Sequence, residues 1–302
     1  MRSSPGSQAT GAAWEVRLFA PLAGWALVAI GLWRLNHLIP PGWRMYAGPL
    51  TYLALFATTI GYVVLACRGG QFPRAATYMA IGAFACSFLV SVLLPPFGTV
   101  RLARSILLLA GAPVAGFWVA RLVASRQYLV PVLLVAAVAD AWSVFFGLSE
   151  ILVRTGAVEH VAVSYPRVAA PDAAPAPLVG VTDWVFVAFL VLTVYRFGMP
   201  AWKLAPALVL GCTAGGVAVW GLGMPVPLLV TIGAAFVIAY FPEVRPSREI
   251  MRTTALFLLV LVAVLVTVGL TRRFLSPPEA PAEAPASSPD TWGPEEPSPA
   301  DS

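Results

Sequence analysis

Nine times along this chain a run of roughly 20 residues is mostly apolar, the length at which an α-helix crosses the hydrocarbon core of a bilayer. The runs cover residues 17–39, 47–67, 76–95, 104–122, 128–151, 178–197, 203–222, 226–241 and 252–271. Most of their boundaries carry Pro, Gly or Arg, as in Pro40-Pro41-Gly42 and Arg68-Gly69-Gly70. Charged residues make up only 11% of the chain, where a soluble domain carries about 25%. The expected fold is therefore all-α: a polytopic transmembrane bundle of about nine spans. Its expected location is integral to a membrane with multiple passes, which in a prokaryote is the cell membrane.

Four regions follow from this pattern. Residues 1–127 hold about four N-terminal spans, residues 128–241 a core of four more, and residues 242–275 one additional C-terminal span. The tail, 276–302, has eight prolines and six of the fourteen acids, a composition that favours disorder. Within the core, the Pro/Ala-rich connector 152–177 is too broken for a spanning helix, and its Arg154, Glu159 and His160 read as solvated. The N-terminus lacks the apolar core and cleavage site of a signal peptide. With the N-terminus inside, inner loops hold 11 Lys and Arg and outer loops eight, and Arg245, Arg248 and Arg252 are the best single support for that orientation. The basic excess suits anionic lipid headgroups and calls for no nucleic-acid partner. Three scattered cysteines, Cys67, Cys86 and Cys212, read as small apolar fillers.

Against this apolar background the ionisable residues stand out. Of five aspartates, only Asp140 and Asp183 fall within expected spans; of the histidines, His37 falls at the loop edge of the first run and His160 in a connecting loop. A charge at the bilayer centre costs roughly 2.5–3.5 kcal/mol on insertion scales, so a buried carboxylate needs compensation. Asp140 lies about 12 residues into its span, or ~18 Å, which leaves ~12 Å to the far face of a core about 30 Å thick. Asp183 lies about six residues into the returning span, or ~9 Å deep. Two acids at similar depth on consecutive antiparallel helices can pair. A pair that shares one proton can activate water with its ionised member and polarise a peptide carbonyl with its protonated one. That chemistry needs no metal, and no cofactor is expected. A zinc protease would need HExxH, and a Ser/His protease an intramembrane histidine. The chain has neither.

Three blocks, in order, resemble the presenilin and signal peptide peptidase group of intramembrane aspartyl proteases. VAAVADAWSVFFGLSEILV looks like that family's Tyr-Asp helix, and LVGVTDWVFVAFLVL is similar to its Gly-x-Gly-Asp helix, with Gly180 and Asp183 matching. GMPVPLLVTIGAAFVIAYF looks like its Pro-Ala-Leu motif and following helix, with Met224-Pro225-Val226 at the motif and Pro227 just after it. The likeness spans about 110 residues, 130 to 240. It departs from the pattern at Ala139, where the family has tyrosine, and at Thr182, where it has the second glycine. Four spans rather than five precede the helix of the first acid, and one extra span lies at the C-terminus.

The resemblance implies a presenilin-like fold and an aspartic endopeptidase that cuts transmembrane helices or signal-peptide remnants within the bilayer. Asp140 and Asp183 would be the dyad. Ala139, Gly180 and Thr182 would border it, and Met224, Pro225, Val226 and Pro227 would position an unwound substrate. Two other readings stand beside it: a proton-coupled transporter or channel using the same acids, and an inactive relative that binds membrane helices. Gly211-x-x-x-Gly215 and Gly216 read as close helix packing.

Overall fold

A computed structural model describes residues 11–35, 38–69, 71–95, 97–145, 158–166, 176–222 and 227–275. Nine helices longer than one turn lie among them: α1 (Gly11–Leu35), α2 (Arg44–Cys67), α3 (Arg74–Leu93), α4 (Gly98–Leu122), α5 (Leu129–Phe145), α6 (Val181–Arg196), α7 (Leu204–Leu222), α8 (Leu228–Val244) and α9 (Arg248–Leu275). Each answers to one of the nine apolar runs, in order. Seven are long and apolar enough to cross a membrane. The other two, α6 and α8, have 16 and 17 residues. The chain is a multi-pass helical membrane protein. Of the described residues, those up to Leu258 form one compact unit and those from Leu259 onward a second. The 276–302 tail lies outside the described residues.

Helix α6 is the core of the first unit. Trp184 and every residue from Phe186 to Val194 are buried, so the helix is covered on all faces. Its β-branched, aromatic sequence has a weak intrinsic helix preference, and packing supplies what propensity does not. It packs chiefly on α4, whose Gly116 removes the side chain that would keep the two apart. A Cβ there would stand 2.6 Å from Ala188 Cβ and 2.7 Å from the Val185 carbonyl oxygen. Arg196 donates to the Ala120 carbonyl, which holds the C-terminal ends of the two helices together. Helix α6 ends at Gly198, whose φ of +62° lets the Met199 N–H reach back to the Val194 carbonyl at 3.0 Å.

The glycines of α7 do the same against α8. A Cβ on Gly211 would lie 2.7 Å from Ile232 Cα, and one on Gly215 2.9 Å from Leu228 Cδ1. Close packing is therefore found at these two positions, whereas a Cβ on Gly216 would meet nothing within 4 Å.

The connector departs from expectation. After a single helical turn, Val158–Val161, it forms strand β1 (Ala162–Tyr165), which pairs antiparallel with β2 (Ala176–Gly180). Both strands were expected in solvent or at a helix end, yet β1 is buried throughout. Polar backbone inside a membrane protein must be paired within the protein. The sheet meets that need by its own ladder and by Ser105 of α4, whose hydroxyl accepts from the Ser164 N–H at 2.8 Å. His160 is likewise half-buried, its ring 6.4 Å from that of Phe88. Arg154 lies outside the described residues.

Candidate functional site

Asp140 is the twelfth residue of α5. Its Oδ2 accepts from the backbone N–H of Leu229 at 2.9 Å. Leu229 lies in the first turn of α8, where the N–H groups have no partner within their own helix. A carboxylate from a neighbouring helix satisfies one of them and sits at the positive end of the helix dipole. The turn exists because Pro227, at φ −61° and ψ 114°, caps α8 in an extended conformation. Asp140 and Pro227, from the first and third sequence blocks, are thereby joined through a single hydrogen bond at Leu229.

Asp183 is the third residue of α6 rather than the sixth of a span, because residues 178–180 belong to β2. Gly180 ends the strand and caps the helix, and its N–H donates to the Asp183 carboxylate. An acid at the third helical position that reaches back to the cap residue is half of a capping box. The fit is close: a Cβ on Gly180 would stand 3.3 Å from Asp183 Oδ2 and 3.2 Å from Thr182 Oγ1. Asp183 is within electrostatic reach of Asp140, and of Tyr165 and Cys212. The two acids thus come to one locality from separate helices, although Asp183 gets there by a strand-to-helix junction.

The other residues singled out in the sequence fall as follows. Ala139 is exposed on α5, at the inner end of a groove, and Thr182 is exposed on the first turn of α6. Met224, Pro225 and Val226 lie outside the described residues. Among the described residues, no group of three or more His, Cys, Asp or Glu is arranged to hold a metal ion.

Sequence reasoning missed Tyr165. Its buried ring packs on Phe56 and Trp25, with centroids 5.7 and 6.2 Å away. Its hydroxyl lies 3.3 Å from that of Thr59, which also accepts from the Trp25 indole N–H at 2.8 Å. This network ties α1, α2 and β1 together behind Asp183. The signal was present in Val161-Ala162-Val163-Ser164-Tyr165, a short β-branched and aromatic run between breakers. Comparison with protein-family models, with curated proteins and with solved structures finds no match for this chain.

Proposed function

We propose that the chain is an intramembrane aspartyl protease with a presenilin-like arrangement, cleaving transmembrane helices or signal-peptide remnants with Asp140 and Asp183 as its dyad. The observation that supports this best is convergence. The Asp140 helix, the Asp183 helix and the Pro227 turn are the three blocks of the resemblance; the Asp140–Leu229 hydrogen bond links the first to the third, and Asp183 of the second lies within electrostatic reach of Asp140. In the proposed reaction the ionised acid takes a proton from water. The other acid, protonated, donates a hydrogen bond to the scissile carbonyl oxygen and stabilises the charge that develops on it. Collapse of the tetrahedral intermediate expels the amine, which receives the proton taken from water. The turn before α8 would hold the substrate backbone extended, since a helical peptide keeps its carbonyls in its own hydrogen bonds.

A second reading has its own observation. Both acids accept hydrogen bonds at helix N-termini, Asp140 at α8 and Asp183 at α6, and a purely structural pair in a helix-binding protein would do the same. Asparagine separates the two, because its side-chain oxygen still caps a helix but cannot serve as acid or base. With the protein reconstituted beside a labile transmembrane substrate, Asp140→Asn and Asp183→Asn should each lower cleavage by about 10²–10⁴-fold while the protein stays folded. Cleavage should also fall on both sides of a pH optimum, because the two acids work in opposite protonation states. Unchanged cleavage in either variant ends the dyad hypothesis. Proton flux across the bilayer without cleavage assigns the acids to transport.

A further inference from the structure

A groove of about 840 Å³ runs along α5 within the first unit and has the opening turns of α9 as its other wall. Its sides come from Val132, Val135, Ala136 and Ala139 of α5, with Ile250 and Phe257 of α9 opposite. The two threonines that also line it, Thr253 and Thr254, turn their hydroxyls to their own helix, donating to the Glu249 and Ile250 carbonyls at 3.1 and 2.7 Å. These two hydroxyls are therefore satisfied within α9, and the larger part of the groove lining is apolar. From Tyr128 to Ala139 the groove follows α5 for about 16 Å at 1.5 Å per residue. That is half of a hydrocarbon core about 30 Å thick, the depth of one leaflet.

The two ends differ in chemistry. The inner end stops at Ala139, beside Asp140. The outer end, at Gln127 and Ser247, is flanked in sequence by Arg126, Arg245, Arg248 and Arg252, all of them exposed. Glu249 is the one acid lining that end, and nearby Glu243 is bonded to Lys203 at 2.8 Å. Along the chain at that end basic residues thus outnumber acids, Glu243 lying within reach of Arg126 as well as Lys203, beside a mostly apolar groove about one leaflet deep. Basic pockets between membrane helices at an interface suit anionic lipid headgroups.

We propose that this groove seats one acyl chain of an anionic phospholipid, with its phosphate among Arg126, Arg245, Arg248 and Arg252. The assignment does not depend on whether the protein cleaves peptides. A basic residue near an anionic lipid surface strengthens binding roughly fivefold, so several together discriminate well against a zwitterionic headgroup.

The test is photolabelling of the full chain in phosphatidylcholine vesicles. They contain a trace of phosphatidylglycerol or phosphatidylcholine with a diazirine on the acyl chain, and labelled peptides are mapped by mass spectrometry. The phosphatidylglycerol probe should label residues 128–139 and 250–257 about tenfold more than the phosphatidylcholine probe. The R245Q/R248Q/R252Q variant should remove that excess. Ala136→Trp, which fills the groove, should remove labelling there by either probe while exposed Ile81 and Phe88 on α3 are labelled as before. The α3 signal reports that each variant is folded and inserted, and the comparison of the two probes on the unaltered chain needs no variant at all. Equal labelling by the two probes overturns the proposal, as does an excess that survives loss of the arginines. Preferential labelling of the same peptides by a photoreactive transmembrane helix would give the groove to a protein partner and also overturn it.

Discussion

Helices α5 and α6 each carry one of the two intramembrane aspartates, and they hold them in opposite ways. Helix α6 is enclosed by neighbours over its central turns and approaches α4 closely enough at Gly116 for backbone to touch side chain. Among the described residues of α5, only Leu129, Val130 and Leu133, all in its first two turns, are buried, and from there to Asp140 one side of it lines a groove. Asp183 is thus fixed by the surrounding core and its own cap. Asp140 is fixed chiefly by one hydrogen bond to α8. The contrast implies that changes on the α6 side should disturb the fold, and changes on the α5 side the geometry of the acid pair.

The largest expected effect is at the α4–α6 seam. Gly116→Leu would force the two helices apart, since even a Cβ meets atoms at 2.6–2.8 Å. Overpacking costs about 1–3 kcal/mol and occasionally more, and a seam this close puts Gly116→Leu at the upper end, about 3 kcal/mol. The matching change on the other side, Ala136→Leu, extends into the groove and should cost less than about 1 kcal/mol. Reversible unfolding in mixed micelles measures both. Similar costs at the two sites would remove the contrast.

Next in size is the buried network behind Asp183. Thr59→Val keeps the volume but leaves the Trp25 indole N–H and the Tyr165 hydroxyl without that hydroxyl as partner. About 1–3 kcal/mol is expected, because a buried polar group left unpaired keeps its full desolvation penalty. The same unfolding measurement checks this, with near-UV circular dichroism reporting on the tryptophans. A neutral result would mean that β1 is not anchored through Thr59.

These positions also mark what could be read from the chain alone. All nine helices were legible, because runs of about 20 apolar residues leave a bilayer protein little choice. Pairing of Gly211 and Gly215 with a neighbour was legible from their spacing. The sheet was not, because Pro and Ala around 165–177 read as a solvated linker, and nothing local says that Ser105 waits on α4 to receive β1. The place of Asp183 within its helix, third rather than sixth, was not legible for a related reason. An apolar strand running directly into an apolar helix carries no period by which to separate them. The partner of Asp140 was invisible for a different cause: it is the backbone N–H of Leu229, and any residue except proline would supply it.

That backbone bond gives a smaller prediction. Asp140→Ala should cost about 1 kcal/mol through loss of the α8 cap, and Asp140→Asn only part of that. Hydrogen exchange at the Leu229 amide is the direct readout, faster in the alanine variant and nearly unchanged in the asparagine one. Equal protection in all three proteins would show that another group holds the turn.

The smallest effect should come from the ion pair at the outer end of α8. Lys203 and Glu243 meet at 2.8 Å with side chains 23% and 19% exposed. Lys203 also lies 5.8 Å from the ring centroid of Tyr240, whose hydroxyl donates to the Pro200 carbonyl at 2.8 Å. The 200–203 turn is therefore tied to α8 by several contacts, of which the ion pair is the most accessible to water and salt. Exposed pairs contribute about 0–1 kcal/mol and cation–π contacts at such sites about 0.5–1 kcal/mol, partly in place of each other. Lys203→Met should thus lower stability by about 1 kcal/mol or less, and raising ionic strength should shrink the difference. Tyr240→Phe should cost at least as much despite leaving every charge in place, because it removes a partly buried hydrogen bond while keeping the ring stacked on Phe236. If Lys203→Met instead approached the cost of Gly116→Leu, the helices around Asp140 would be held as firmly as those around Asp183. The geometry of the acid pair would then have no softer side.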